Sequence, residues 1–354
     1  MKVAILGLPQ SGKTTVFSAI TAKSFDPYAP SELRHAVVRV PDGRLGFLEK
    51  LFNPKKVVEA TIEFVDIPGC ALDEANGRDE WKRIVPTVRQ ADLLVIVVRD
   101  FVNASVPMHK DRLDAAADFD EMRSELLFSD LESVTTRVER LEKSVRKPTK
   151  TQEVDKRELA LLQRCQAALE SEEPLSGIIK TDEDRALVAG FAFLTEKPIL
   201  CVRNVGDDAA AGAEPLSLAH VADSIALGAS IEAEIAMLDP DDRRAFLDDL
   251  GLAAPARDRL IQVCYTAAGL ISFLTMGSDE VRAWPVRAGS TAVQAAGKIH
   301  TDLSRGFIRA ETIAYADLVT HGDEKSVKAA GKARKEGKDY VVQDGDILNI
   351  LSSA

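Results

Sequence analysis

The chain has 354 residues, 45% hydrophobic and 29% charged, which suits two or three soluble domains with a substantial core. Its formal net charge of -11 excludes a protein that simply coats nucleic acid, so no DNA partner is expected. Cys70, Cys165, Cys201 and Cys264 form no C-x-x-C pair, the apolar start is too short for a signal peptide, and no apolar run reaches the ~20 residues of a membrane span; the expectation is a cytoplasmic protein without membrane contact.

Residues 3–6 form a short apolar run ended by Gly7 and read as a buried parallel strand. A glycine loop follows, then a helix over 13–22. Further buried strands are expected at 60–65, ended by Asp66-Ile-Pro-Gly69, at 93–98 and at 198–202. Strands alternating with helices imply an α/β fold with a doubly wound parallel sheet.

Between the last two strands the texture changes. Leu127, Leu131, Val134, Val138, Leu141 and Val145 follow a heptad seam, Pro148 marks a turn, and Leu159, Leu162 and Leu169 share a face of a second helix. Together they predict an antiparallel helical hairpin inserted into the α/β domain, read either as a packed subdomain or as a docking arm. A helix-rich stretch follows Ile231. A last unit begins near Met276, with strands expected at 281–286, 307–313, 339–342 and 347–351, a helix over 291–302, and a turn at Gln343-Asp-Gly-Asp346. From residue 277 onward 11 Lys/Arg balance 11 Asp/Glu, so the acidity belongs to the rest of the chain.

Gly7-Leu-Pro-Gln-Ser-Gly12-Lys13-Thr14 matches G-x-x-x-x-G-K-[ST] in the required place, after a strand and before a helix. Its backbone N–H groups can form an anion nest, the helix start adds a positive dipole end, Lys13 can reach the β- and γ-phosphates, and the Thr14 hydroxyl can bind Mg²⁺. Pro9, Gln10, Ser11, Gly12, Lys13, Thr14 and Thr15 are therefore expected to bind the nucleotide. Asp66 closes a strand and can join Thr14 as a metal ligand, while Gly69 lets the backbone approach the γ-phosphate. Lys13, Thr14, Asp66 and Gly69 are the expected catalytic set. Asn204-Val-Gly-Asp207 stands where GTPases carry an N-K-x-D base-reading loop, with Val205 in place of the lysine; a plain turn is the alternative.

With these residues the chain resembles the YchF / Obg-like ATPase family. The likeness rests also on Pro41-Asp-x-Arg-Leu45, residues 54–67, Ile231-Glu-Ala-Glu234 and a long C-terminal series: Glu280-Val-Arg-Ala-Trp284, Gln294 to Asp302, Gly306 to Glu311, and Glu336 to Asp346. That series looks like a TGS domain, a small β-grasp fold. The resemblance implies domains at 1–104 with 196–275 (nucleotide), 105–195 (helical) and 276–354 (TGS). It implies ATP favoured over GTP, slow hydrolysis, and binding to ribosomes or rRNA through the TGS and helical domains. It also implies that Asn204 touches adenine, that Val205 packs near the base, and that Ile231 follows the fifth nucleotide loop. The rival readings are a GTPase of the same fold and a nucleotide-gated binding protein with negligible hydrolysis.

The chain departs from the family pattern in several places, some of them in the parts that sense the γ-phosphate. A switch threonine aligns with Pro30, which has no hydroxyl; Ser31 is next to it. The P-loop asparagine is Gln10, the glycine-rich stretch after Gly69 is Gly77-Arg-Asp-Glu-Trp-Lys82, and Gly228-Ala229-Ser230 replaces Ser-Ala-Lys. Cys70 stands where some GTPases orient water. It is expected as a small apolar filler, with a redox brake as the alternative. Arg305, Arg309, Lys332, Arg334, Lys335 and Lys338 are candidates for phosphate-backbone contact, or a solvated basic face. His300 is expected to be structural and Trp284 to be core.

Overall fold

The computed structural model describes residues 1–25, 32–148, 150–249 and 254–353; Pro30 and Ser31 lie outside the described residues. In chain order the elements are β1 (Lys2–Leu6), α1 (Lys13–Thr21), β2 (Arg34–Arg39), α2 (Gly43–Phe52), β3 (Lys56–Val58), β4 (Thr61–Asp66), α3 (Ala75–Val88) and β5 (Leu93–Asp100). Then come α4 (Ala115–Ser144), α5 (Gln152–Glu170), α6 (Asp182–Val188), β6 (Ile199–Val205), β7 (Asp223–Leu227), α7 (Ala229–Met237), α8 (Pro240–Asp249) and α9 (Ala256–Ala267). The chain ends with β8 (Leu270–Thr275), β9 (Glu280–Arg287), α10 (Ala292–Ile299), α11 (Thr301–Arg305), β10 (Phe307–Ala314), α12 (Tyr315–His321), α13 (Glu324–Ala329), β11 (Arg334–Glu336) and β12 (Asp346–Ser352). It divides into two compact units, Met1–Ala36 with Phe64–Ala253, and Val37–Glu63 with Ala254–Ala354.

In the first sheet the strand order is β2-β4-β1-β5-β6-β7. The β1/β5, β5/β6 and β6/β7 pairs are parallel, with Ile5 opposite Val95 and Ile96 opposite Cys201. Residues 93–99 are all buried, as a parallel strand covered on both faces requires. This arrangement places the loops after β1, β4 and β6 at the carboxyl ends of neighbouring strands, where such sheets bind ligands.

The long α4 does two jobs. Its first half puts Phe119, Met122 and Leu126 into the same core as Leu94, Ile96 and Trp81. Its second half puts Val134, Val138 and Leu141 against Leu161, Leu162 and Cys165 of α5. The hairpin is antiparallel: Arg137 forks onto Glu158 at 2.7 and 2.8 Å, and Ser144 Oγ donates to Asp155 at 2.9 Å. The helix starts at Ala115, well before the first seam residue Leu127, and Asp114 caps it by accepting from the Ala117 N–H at 3.0 Å.

An arginine fastens α3 to α4. Arg89 Nη1 donates to Asp130 Oδ1 at 2.7 Å and to the Phe191 carbonyl at 2.9 Å, and Nη2 donates to Ser129 O and Ser133 Oγ, each at 3.1 Å. Asp130 is fully buried, and its other oxygen accepts from the Thr195 N–H and hydroxyl, each at 2.9 Å. Trp81 Nε1 adds a bond to Ser129 Oγ at 2.9 Å.

The second sheet runs β11-β10-β12-β8-β9-β3 and is mixed. It takes in β3 and β8, which precede residue 276. Arg44 holds one edge of this unit, bonding Asp42 through Nε and Nη2 and Asp344 through Nη1, each at 2.8 Å. Two expectations fail locally. The helix expected over 291–302 breaks at His300, whose backbone is extended and whose Nδ1 accepts from the Asp302 N–H at 3.2 Å to start α11. Residues 339–342 are not a strand. Val341 makes one bridge to Thr291, and Tyr340 is held by its hydroxyl on Asp346 at 2.7 Å instead. The turn at 343–346 is present, with Gly345 at φ 82° and the Asp346 N–H on Gln343 O at 3.1 Å. Trp284 is partly buried against the core of this unit, with Phe273 stacked at 6.3 Å and the Arg282 guanidinium at 4.0 Å.

Candidate functional site

The loop after β1 wraps the start of α1. Gln10 takes φ 62° and Gly12 φ 89°, alternating with ordinary backbone, which turns successive N–H groups toward one side. Gly12 is also a close approach: a Cβ there would sit 2.1 Å from Asn204 Nδ2. Behind the loop Asn204 is buried. Its Nδ2 donates to Ser11 O at 3.1 Å, and its Oδ1 accepts from the Ala229 N–H at 3.0 Å. It thus ties the phosphate loop to the start of α7.

Lys13 is 6% exposed, and its Nζ donates to Leu8 O at 2.8 Å. Burial pulls its pKa down from 10.5 to about 8, with Asp66 and then Cys70 opposing the shift. Thr14 Oγ1 donates to Asp66 Oδ2 at 2.9 Å, and Arg34 Nη1 lies 3.3 Å from the same oxygen. Burial raises the Asp66 pKa, opposed by the Thr14 hydrogen bond and by the charges of Lys13 and Arg34. Two polar atoms in this cluster, Asp66 Oδ1 and Ser11 Oγ, are buried without a hydrogen-bond partner among the described residues. Such atoms are costly unless something satisfies them. A hydroxyl and a carboxylate side by side, with one carboxylate oxygen unspent, fit a hard divalent cation.

A cavity of about 990 Å³ opens over this cluster. Of the expected residues it is lined by Pro9, Gln10, Gly12, Lys13, Thr14, Thr15 and Gly69. Ser11 and Asp66 are buried, Asp66 touching Thr14. Asn204, Val205 and Ile231 do not line it. Val205 is buried at the end of β6, and the Ile231 N–H donates to Asp207 Oδ1 at 3.2 Å. The cavity also has walls that sequence reasoning missed: Ser18, Ser24, Phe25 and Arg34 on one side, Ser230, Ala233, Glu234 and Met237 on the other. Ser230, Ala233 and Glu234 fall in stretches quoted for the family comparison, without a site role there; the others belong to no motif. The one usable signal was the one-turn spacing of Ser230, Ala233 and Met237 along α7.

Gly69 approaches closely; a Cβ there would lie 2.6 Å from Lys13 Nζ and 3.1 Å from Pro9 Cα. Next to it Cys70 is 4% exposed, with Sγ 3.8 Å from Pro68 O, and belongs to the α/β core. Burial and then Glu80 push its thiol up to about 11, against Lys13. The thiolate a redox brake needs is therefore disfavoured, and Cys70 is an apolar filler. The stretch after it is helical from Ala75, with Trp81 buried and Gly77 against the Ala71 carbonyl.

Among the described residues no group of His, Cys, Asp and Glu is arranged to hold a metal by itself, and no helix is long and apolar enough to cross a membrane. In the second unit Arg305, Arg309, Lys332, Lys335 and Lys338 are exposed, while Arg334 is engaged with Tyr340 and Asp346.

Comparison with known proteins adds relatives to this geometry. Residues 2–127 match the family described as "50S ribosome-binding GTPase", and residues 270–352 match YchF-GTPase_C, described as "Protein of unknown function (DUF933)". The chain is 37% identical over 364 residues to the ribosome-binding ATPase YchF of Bacillus subtilis (strain 168), covering 99% of this chain and 98% of that one. It is 36% identical over 360 residues to the protein of the same name from Escherichia coli O157:H7, with the same coverage. The solved structure of the Schizosaccharomyces pombe YchF GTPase superposes with a TM-score of 0.82 at 27% identity, covering 99% of this chain and 97% of that one. The relatives' names differ on the nucleotide, ATP for the bacterial proteins and GTP for the yeast one.

Proposed function

The chain belongs to the YchF family, and on that premise we propose that it is a slow Mg²⁺-dependent ATPase that works as a switch on cytoplasmic ribosomes. The single observation that carries the reading is the cluster under the cavity: buried Lys13, the Thr14–Asp66 bond, and the unspent Asp66 oxygen. Lys13 would leave the Leu8 carbonyl for the β- and γ-phosphates. The loop from Pro9 to Thr15 would hold the phosphate chain through its N–H groups, and the Gly69 backbone would approach the terminal phosphate. Thr14 and Asp66 would hold Mg²⁺, which when bound neutralises charge developing on the phosphates.

The choice of adenine over guanine is supported by Val205, which stands where a guanine-reading loop carries lysine. Asp207 already accepts from the Ile231 N–H through Oδ1. Asn204 is committed to the phosphate loop and α7, so we assign it a bracing role. The residues nearest the base are then Ser230, Ala233, Glu234 and Met237 of α7. Slow hydrolysis follows from Cys70, which is turned into the core and cannot orient water. That observation also favours the second reading, a nucleotide-gated scaffold. We assign ribosome contact to the exposed basic residues of the C-terminal unit and to the α4/α5 hairpin. Lys13→Ala tests the site: triphosphate affinity should fall by about 100-fold or more with unchanged folding. Unchanged affinity would refute the assignment.

A further inference from the structure

The cavity holds a second cation besides Lys13. Arg34, the first residue of β2, lines it, and its Nη1 donates at 3.3 Å to the Asp66 oxygen that already accepts from Thr14 at 2.9 Å. The guanidinium lies over the Phe25 ring, 5.1 Å from its centroid, and Phe25 packs at 5.3 Å on Phe17, which is fully buried in α1. The side chain is 18% exposed, so it faces the cavity from a supported position. The structural guanidiniums of this unit hold their carboxylates at short range: Arg137 grips Glu158 at 2.7 and 2.8 Å, and Arg89 reaches Asp130 at 2.7 Å. Among the described residues Arg34 makes one contact with a carboxylate, and it is longer, at 3.3 Å.

We propose that Arg34 is a ligand of the terminal phosphate, serving two anions in turn: Asp66, as seen here, and the γ-phosphate of the bound triphosphate. The proposal rests on the nucleotide reading above. Asp66 and Thr14 mark the end of the cavity where metal and terminal phosphate meet, and Arg34 stands at that end. A divalent cation held by the other Asp66 oxygen would compete with Arg34 for the same carboxylate, because like charges at that range repel. The terminal phosphate offers a replacement with three oxygens and the planar geometry a guanidinium matches, while the stacking on Phe25 need not be broken. A diphosphate offers no oxygen there. Arg34 therefore distinguishes triphosphate from diphosphate, which in a switch is the distinction that matters.

The test uses the full chain with Arg34→Gln and Arg34→Lys, titrated calorimetrically with ADP and with a non-hydrolysable ATP analogue in Mg²⁺, thermal unfolding checking that each variant is folded. Arg34→Gln should lose about 10- to 100-fold in affinity for the triphosphate analogue, keep ADP affinity within about twofold, and Arg34→Lys should recover part of the loss. Unchanged affinity for both nucleotides would make Arg34 a counter-ion of Asp66 only, and an equal loss for both would place its effect on the shared site; either overturns the proposal. If Arg34→Gln does not fold, Arg34→Lys carries the same comparison, since it keeps the charge and loses the fork. A wild-type chain that binds neither nucleotide would overturn the nucleotide reading and this one with it.

Discussion

In the proposed site Lys13 has to be charged to hold phosphate, yet burial brings its pKa down to about 8. Below that value it is protonated and competent; above it the proton is lost and affinity falls by up to about tenfold per pH unit. Triphosphate affinity measured from pH 7 to 9.5 should therefore bend downward near 8, and Lys13→Ala should show no bend. The same shift acts on folding with the opposite trend. Between about 8 and 10.5 the unfolded chain binds the proton and the folded one does not, so the contribution of Lys13 to stability rises with pH across that window. Gly12 is the second sharp residue. A side chain there meets Asn204 and forces a left-handed φ of 89°, so Gly12→Ala should cost about 1–3 kcal/mol in a denaturation experiment and weaken nucleotide binding. The motif announces Lys13 and Thr14 because their chemistry is local. The partners of Asn204 were not legible: Ser11 and Ala229 lie 193 and 25 residues away, and only the closed sheet brings them together.

Helix α3 follows the Asp66–Gly69 loop directly and is tied to α4 by Arg89, Asp130 and Trp81. Any movement of that loop would thus be felt at the hairpin. Arg89→Met should leave the fully buried Asp130 without its charge partner and cost about 3–5 kcal/mol, read from the unfolding midpoint. A loss below about 0.5 kcal/mol would mean the Thr195 bonds to Asp130 suffice. The heptad seam from Leu127 to Leu141 was legible because a repeating face needs no distant information. The His300 break and the irregular 339–342 stretch were not. In both, one tertiary or capping hydrogen bond, to Asp302 or Asp346, overrides a local pattern that permits a continuous element.

For the whole molecule, a net charge of -11 has to be reconciled with the ribosome proposed as its partner, which is largely polyanionic. The charge-neutral C-terminal stretch resolves this, since its exposed cations can meet phosphate with less repulsion than the acidic remainder. Removing that stretch is a poor test, because β8 and β3 both pair with β9 and would lose their neighbour. Reversing Arg305, Arg309 and Lys338 to Glu in the full chain is cleaner. Co-sedimentation with ribosomes should fall and lose part of its salt dependence, while nucleotide affinity holds within about twofold. The α/β class of the first unit was legible from strand texture and motif, and the β-grasp character of the second from the family likeness of residues 280–346. The membership of residues 37–63 in the second unit was not, since it rests on tertiary contacts such as Val57 opposite Val281 and Arg44 on Asp344. The most direct test of the central claim is titration of the purified chain with ATP and GTP in Mg²⁺, with phosphate release followed in parallel and Lys13→Ala as control. The account predicts tighter binding of ATP than of GTP and slow release that the variant lacks; equal or tighter binding of GTP, or release undiminished in the variant, would contradict it.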